Sequence, residues 1–173
     1  MSKLMHFLAV AVAAASLAAP VLDASLAATD GRTVRVADFR GRPAVLFYED
    51  RAATAVNAHF KRALFRRGRE RALLDAVAVV PVANLRAYDF FPARAIALEA
   101  VRRIERRVGT PILVDFDGAL DAPPWSLPAT GAGVVVLDPD GHEAMRRTGR
   151  LDAADEAALF ARLEELVARG SVR

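Results

Sequence analysis

The sequence predicts a single α/β domain built on a mixed sheet, and three observations carry that expectation. Apolar, strand-forming runs such as "AVLFYE", "AVAVVPVANL" and "TPILVDFDGAL" alternate with segments of helical period, which implies parallel strands joined by right-handed crossovers. "GVVVLDPDGHEAMRRTGR" reads as strand, Pro-Asp-Gly turn and strand, so a hairpin adds antiparallel strands. "LDAADEAALFARLEELVARG" closes the chain as an amphipathic helix that should pack on the sheet.

At 173 residues the chain is one domain long, and 54% apolar with 26% charged residues describes a globular protein. Its 24 basic residues face 21 acidic ones, for a formal charge of +3. That near balance argues against a nucleic-acid partner, which selects one-sided basic clustering. Cysteine is absent, which excludes thiol catalysis, disulfides and thiolate metal sites.

"MSKLMHFLAVAVAAASLAAP" has an early lysine, an apolar stretch and small residues ending at Ala18, the layout of a secretory signal cleaved there. Residues 1–18 are therefore expected to be a leader and residues 19–173 the domain, in the periplasm or secreted. The alternative is a packed Ala-rich helix in a cytoplasmic protein. Pro20 and Asp23 cut the apolar run short of a membrane span, so no stable membrane insertion is expected once the leader is gone.

The elements follow in order. Asp30-Gly31 turns the chain into a short exposed strand, and "VADFRGRP" makes one helical turn or a loop ending at Gly41. The continuous apolar run at residues 44–49 suits a central strand covered on both faces, its end forming the edge of any cleft. Over residues 54–76, Val56, Phe60, Ala63, Leu64, Leu73 and Leu74 recur at helical spacing with an interruption at Gly68. Lys61, Arg62, Arg66, Arg67, Arg69 and Arg71 take the opposite face. Residues 76–85 form a second buried strand, broken at Pro81, and a helix opened by Pro92 and closed by Gly109 follows. The third strand ends in an Asp117-Gly118 turn. Asp152 is placed to cap the final helix, which aligns Leu159, Phe160, Leu163, Leu166 and Val167 on one face.

This order, with Asp30-Gly31, Val34, Val36, Asp38-Phe39-Arg40-Gly41, Pro43 and Phe47 in one block, "TPILVDFDGAL" in a second and "VVVLDPDGHEAMRRTG" in a third, resembles the thioredoxin-like superfamily. The resemblance is to its peroxiredoxin (redoxin) and extracytoplasmic thioredoxin branches and spans nearly the whole mature chain. The short hairpin, final helix and leader are also similar to the YtfJ family of small bacterial periplasmic proteins. It implies a central mixed sheet flanked by helices, with a C-terminal hairpin and helix. Carried over residue by residue, the family's CxxC motif falls on Ala52 and Ala55, and its cis-proline on Ala132, with Pro128 four residues earlier. A thiolate at a helix N-terminus is what that family's redox chemistry uses, and none exists here.

Candidate binding residues cluster where the central strand ends: Tyr48, Glu49, Asp50, Arg51 and Thr54, with Trp125 and Gly131 to Gly133 bordering the same vestigial cleft. Helix-opening N–H groups there could hold an anion, or Asp50 or Thr54 simply caps the helix. Trp125 either lines the cleft or plugs the sheet end. "YDFFPAR" either exposes an aromatic patch or folds it back on the core. Arg66 to Arg71 and Arg102 to Arg107 are interleaved with Glu70, Glu99 and Glu105, the pattern of a solvated helix face. His6, His59 and His142 are isolated, and no spacing suggests a metal cage. No catalytic residue, metal or cofactor is therefore expected, and the chain reads as a non-redox binding module for a protein or small ligand rather than an enzyme. The alternative is a redoxin-class protein that assists the thiol or antioxidant chemistry of a partner.

Overall fold

A computed structural model describes residues 20–70 and 73–170, with the side chains of 69 and 70 left aside. The proposed leader lies outside the described residues. Seven strands form one sheet: β1 (Ser25–Ala28), β2 (Thr33–Arg35), β3 (Ala44–Glu49), β4 (Ala78–Asn84), β5 (Leu113–Asp115), β6 (Ala132–Leu137) and β7 (Glu143–Thr148). Their order is β2-β1-β5-β4-β3-β6-β7. The helices are α1 (Ala58–Glu70), α2 (Leu73–Ala76), α3 (Ala93–Val108) and α4 (Ala153–Gly170).

All six residues of β3 are buried, as its unbroken apolar run requires. It pairs parallel with β4 and antiparallel with β6, in register Phe47 to Pro81 and Phe47 to Val134. The strand at residues 76–85 is not broken at Pro81: β4 runs through it. β5 meets β4 only from Val82 onward, so one side of β4 has no ladder at Pro81 for the missing N–H to interrupt.

The two faces of the sheet are covered differently. Val45, Phe47, Val134 and Val136 point toward α1 and α4, meeting Phe60, Leu64, Leu159 and Leu163. On the same face, Val114 and Ala83 lie under α3, of which only Val101 is buried. Leu46, Tyr48, Val80 and Val135 point the other way, where the cover is the irregular chain carrying Leu22, Val36, Leu120, Trp125 and Leu127.

Asp115 at the end of β5 holds that cover. It is 2% exposed, and Oδ1 accepts the Gly118 and Ala119 N–H groups, both at 2.9 Å. Oδ2 accepts the Leu120 N–H at 3.0 Å and the Tyr48 hydroxyl at 3.1 Å. Trp125 Nε1 donates to the Asp23 carbonyl at 2.9 Å, tying the same loop to the N-terminal segment. Burial, and then the Asp115 carboxylate, push the Tyr48 phenol well above its ordinary range.

The first long helix begins at Ala58, not Thr54, and Gly68 does not interrupt it, since α1 runs through that position to Glu70. Gly68 sits inside α1, and a Cβ there would strike Leu74, so close packing is its role. The delay at the start has a side-chain cause. Asn57 is 0% exposed; it donates to the Gly149 carbonyl and accepts the Leu151 N–H, each at 2.9 Å. These bonds fix the chain before α1 in turns. Asp152 caps α4 as expected, accepting the Asp155 N–H at 2.8 Å.

Asp115→Asn turns one acceptor into a donor facing backbone N–H groups, whereas Tyr48→Phe removes a single neutral donor. The expected costs are about 3 kcal/mol for Asp115→Asn and about 1 kcal/mol for Tyr48→Phe, read from urea midpoints at unchanged slope. Equal costs for the two would show that the loop is held by something else.

Candidate functional site

The residues expected to line one cleft are divided by the sheet. Tyr48 and Trp125, 0% and 1% exposed, belong to the core on the face without helices, so neither lines an open cleft. Trp125 takes the plugging role. Ala132 is buried where β6 begins, opposite Glu49 in the β3 register. Gly133 lies against Leu127, whose Cδ2 would stand 3.1 Å from a Cβ at that position. Ala52 and Ala55 are exposed in the run of turns before α1.

Asp50 is committed to backbone. Oδ2 accepts the Gly131 N–H at 2.7 Å, Oδ1 the Ala53 N–H at 2.8 Å, and the Asp50 N–H donates to the Gly131 carbonyl at 3.1 Å. The Thr54 hydroxyl donates to the Arg51 carbonyl at 2.6 Å. At the helix opening the N–H groups of Ala53, Val56 and Ala58 have internal acceptors. Asp50 and Thr54 act as turn caps.

A groove opens on the other face, between α1 and α3. Its floor is the half-buried row Val79, Pro81 and Ala83 of β4, only partly covered because α3 is seated toward β5. One compartment, of about 900 Å³, runs over Phe47, Val79 and Pro81 beneath Phe65 of α1 and Ile104 of α3. A second, of about 700 Å³, lies past the end of β3 between Asp50, Arg51, Leu85, Tyr88 and Ala97. Glu49, Thr54, Ala83, Val101 and Ile104 line both, so the compartments join.

Glu49 stands at the junction. Its side chain is 8% exposed, and Oε2 accepts a 2.6 Å hydrogen bond from Lys61 Nζ, which also donates to the Thr54 carbonyl at 2.9 Å. Oε1 is buried with no hydrogen-bond partner among the described residues. Burial raises the Glu49 pKa, and the Lys61 ammonium opposes part of that rise. An unsatisfied acceptor of this kind is costly unless something donates to it.

Arginines stand at the rim. Arg62 and Arg66 border the larger compartment, and Arg51, Arg103 and Arg107 the smaller. All five are exposed and make no ion pair with a described residue. Other arginines are occupied: Arg67 lies over the Phe160 ring, Arg106 pairs with Glu99 at 3.1 Å, and Arg102 donates to the Thr29 carbonyl. In "YDFFPAR" Tyr88 packs on the core while Phe90 and Phe91 are 60% and 94% exposed, so the loop divides between its two expected roles.

His59 Nε2 lies 2.6 Å from Glu156, bridging α1 and α4. The β6–β7 turn gathers Asp138, Asp140 and His142 with one ligand atom each within 4.8 Å of the others, a grouping that spacing did not suggest. Asp138 Oδ1 there accepts the Asp140 and His142 N–H groups at 3.0 and 2.8 Å, an ordinary turn bond. The groove was the larger omission. Its one signal is a glutamate ending an otherwise apolar strand, with Lys61 in the first turn of the helix that follows.

No family model matches the chain, and no curated protein matches it. Solved structures do. The pneumococcal exposed lipoprotein thioredoxin Etrx1 from Streptococcus pneumoniae matches 84% of this chain and 100% of its own, at 18% identity and TM-score 0.61. A putative thiol:disulfide interchange protein DsbE from Chlorobium tepidum matches 85% of this chain and 94% of its own, at 15% identity and TM-score 0.63. MTB dsbF, solved in mixed oxidized and reduced forms, matches 86% of this chain and 98% of its own, at 21% identity and TM-score 0.60. The chain therefore has the thioredoxin-like fold, and it has it without a cysteine.

Because burial disfavours ionised Glu49, the folded chain keeps this proton to higher pH than the unfolded chain does. Stability is thus lost as pH rises from the ordinary glutamate range through the raised folded value. The Tm of the parent should fall relative to Glu49→Gln as pH rises above the ordinary glutamate range. A Tm difference that stays flat over that rise would show that Glu49 is not strained by burial.

Proposed function

We propose that the chain is a non-redox binding module, exported, whose ligand enters the groove between α1 and α3 at the C-terminal end of β3. The observation that carries this reading is the buried Glu49 Oε1, left without a partner at the junction of two connected apolar compartments. Asp50, Arg51 and Thr54 contribute to the site, since each lines the smaller compartment. Tyr48 and Trp125 support it from behind the sheet. Ala52 and Ala55, where the fold's CxxC would stand, are exposed beside the groove and carry no nucleophile. Compartments of about 700 and 900 Å³ match the size of small-molecule sites.

The names of the structural neighbours favour a second reading, in which the groove holds a partner whose own thiols react. This chain would then position the partner and supply no sulfur. Export is supported by the layout of residues 1–18 and by the lipoprotein thioredoxin among the neighbours. No helix among the described residues is long and apolar enough to cross a membrane.

The groove is tested by titrating small apolar fragments into the full chain and following backbone amide shifts. Shifts should gather on residues 49–54, 79–85 and the α3 face, and Ala97→Trp with Ala100→Trp should weaken binding at least about tenfold by filling the smaller compartment. Shifts confined to Phe90 and Phe91 would overturn the assignment. In cell fractions the mature N-terminus should be Ala19; a chain retaining Met1 in the cytoplasm would overturn export.

A further inference from the structure

Three features of the groove bear on its occupant. The larger compartment is floored by Phe47, Val79 and Pro81 and walled by Ile104 and Val108, which suits an extended hydrocarbon. Glu49 follows at the junction, with an acceptor oxygen that has no donor. The smaller compartment then presents Arg51, Arg103 and Arg107, exposed and without ion-pair partners among the described residues, while Asp50, the carboxylate that lines it beside Glu49, is taken up by the Gly131 and Ala53 N–H groups. Together the groove asks for an apolar chain, a hydrogen-bond donor and an acid.

Resting on the groove reading above, we infer that the ligand is an anionic amphiphile of the N-acyl amino acid class. Its acyl chain lies over Val79 and Pro81, its amide N–H donates to Glu49 Oε1, and its carboxylate meets Arg103 and Arg107. The three groups together exclude two simpler ligands. A fatty acid has no donor between chain and acid, so Glu49 stays unsatisfied. A cationic amphiphile satisfies Glu49 but places its charge among three arginines and competes with Lys61. Arg62 and Arg66 flank the chain end of the groove, away from the acid.

The test is calorimetric, on the full chain, with N-dodecanoylglycine, N-dodecanoylsarcosine and dodecyltrimethylammonium, each below its micelle concentration. The sarcosine compound differs from the glycine compound by an N-methyl group in place of the N–H. The glycine compound should bind at least about tenfold more tightly than the sarcosine compound, and the trimethylammonium compound should not bind. Arg103→Ala with Arg107→Ala should weaken both acids about tenfold or more while keeping their ratio, whereas Arg62→Ala with Arg66→Ala should change them less than about threefold. All four positions are exposed, so folding should survive substitution. Equal binding of glycine and sarcosine compounds, or capture of the cation, would overturn the inference. So would failure of both acids while apolar fragments still shift the groove amides, an outcome that leaves the binding-module reading standing. A dimer in sedimentation with no amphiphile bound would also overturn it, in favour of a second copy covering the groove.

Discussion

The Asp115 carboxylate is the constraint on which the rest of this molecule depends. Half of the sheet lacks helical cover, and an irregular segment cannot satisfy its own backbone as a helix does. Asp115 supplies acceptors for three successive backbone donors just beyond β5, and the Tyr48 hydroxyl completes the set from the central strand. The loop so fixed delivers Leu120, Trp125 and Leu127 onto Leu46, Val80 and Val135. A carboxylate buried without those donors would cost more than the packing returns.

With one face sealed mainly by a loop, the α-helices all fall on the other, and their spacing decides where the groove lies. α1 and α4 share the half of the sheet made by β3, β6 and β7, and α3 is held over β5 by Val101, Val114 and Phe116. β4 lies between, with Val79, Pro81 and Ala83 as a strip too wide for either neighbour to close. Glu49 is carried into that strip by register alone, since it shares a face with Val45 and Phe47. Its companion Asp50, one residue on, turns to the loop before β6 and locks the strand end. Two adjacent acids thus have opposite tasks, one structural and saturated, the other open.

How much of this could be read from the chain follows from the range of the interactions. β3, α4 and the β6–β7 hairpin are local patterns of period and turn chemistry, and they stand where those patterns put them. The start of α1 was misplaced because Asn57 answers to Gly149 and Leu151, more than 90 residues away, rather than to its neighbours. Pro81 looked like a break because a proline reports only its own missing N–H, not whether a strand lies beside it. Asp50, Arg51 and Thr54 follow the end of β3, as the strand pattern implies, but which way Tyr48 and Trp125 face is settled by the sheet. The groove itself is a gap between two helices and leaves almost no mark in any single segment.

The position of Trp125 has a spectroscopic consequence. It is the chain's only tryptophan, and it sits under the loop cover, on the far side of the sheet from the groove, hydrogen-bonded to the Asp23 carbonyl. Intrinsic emission therefore follows the detachment of the N-terminal segment and of the loop after β5, a local opening with its own free energy. Occupation of the groove leaves the indole's surroundings unchanged. A red-shifted emission in this molecule therefore signals that the loop-covered face has opened.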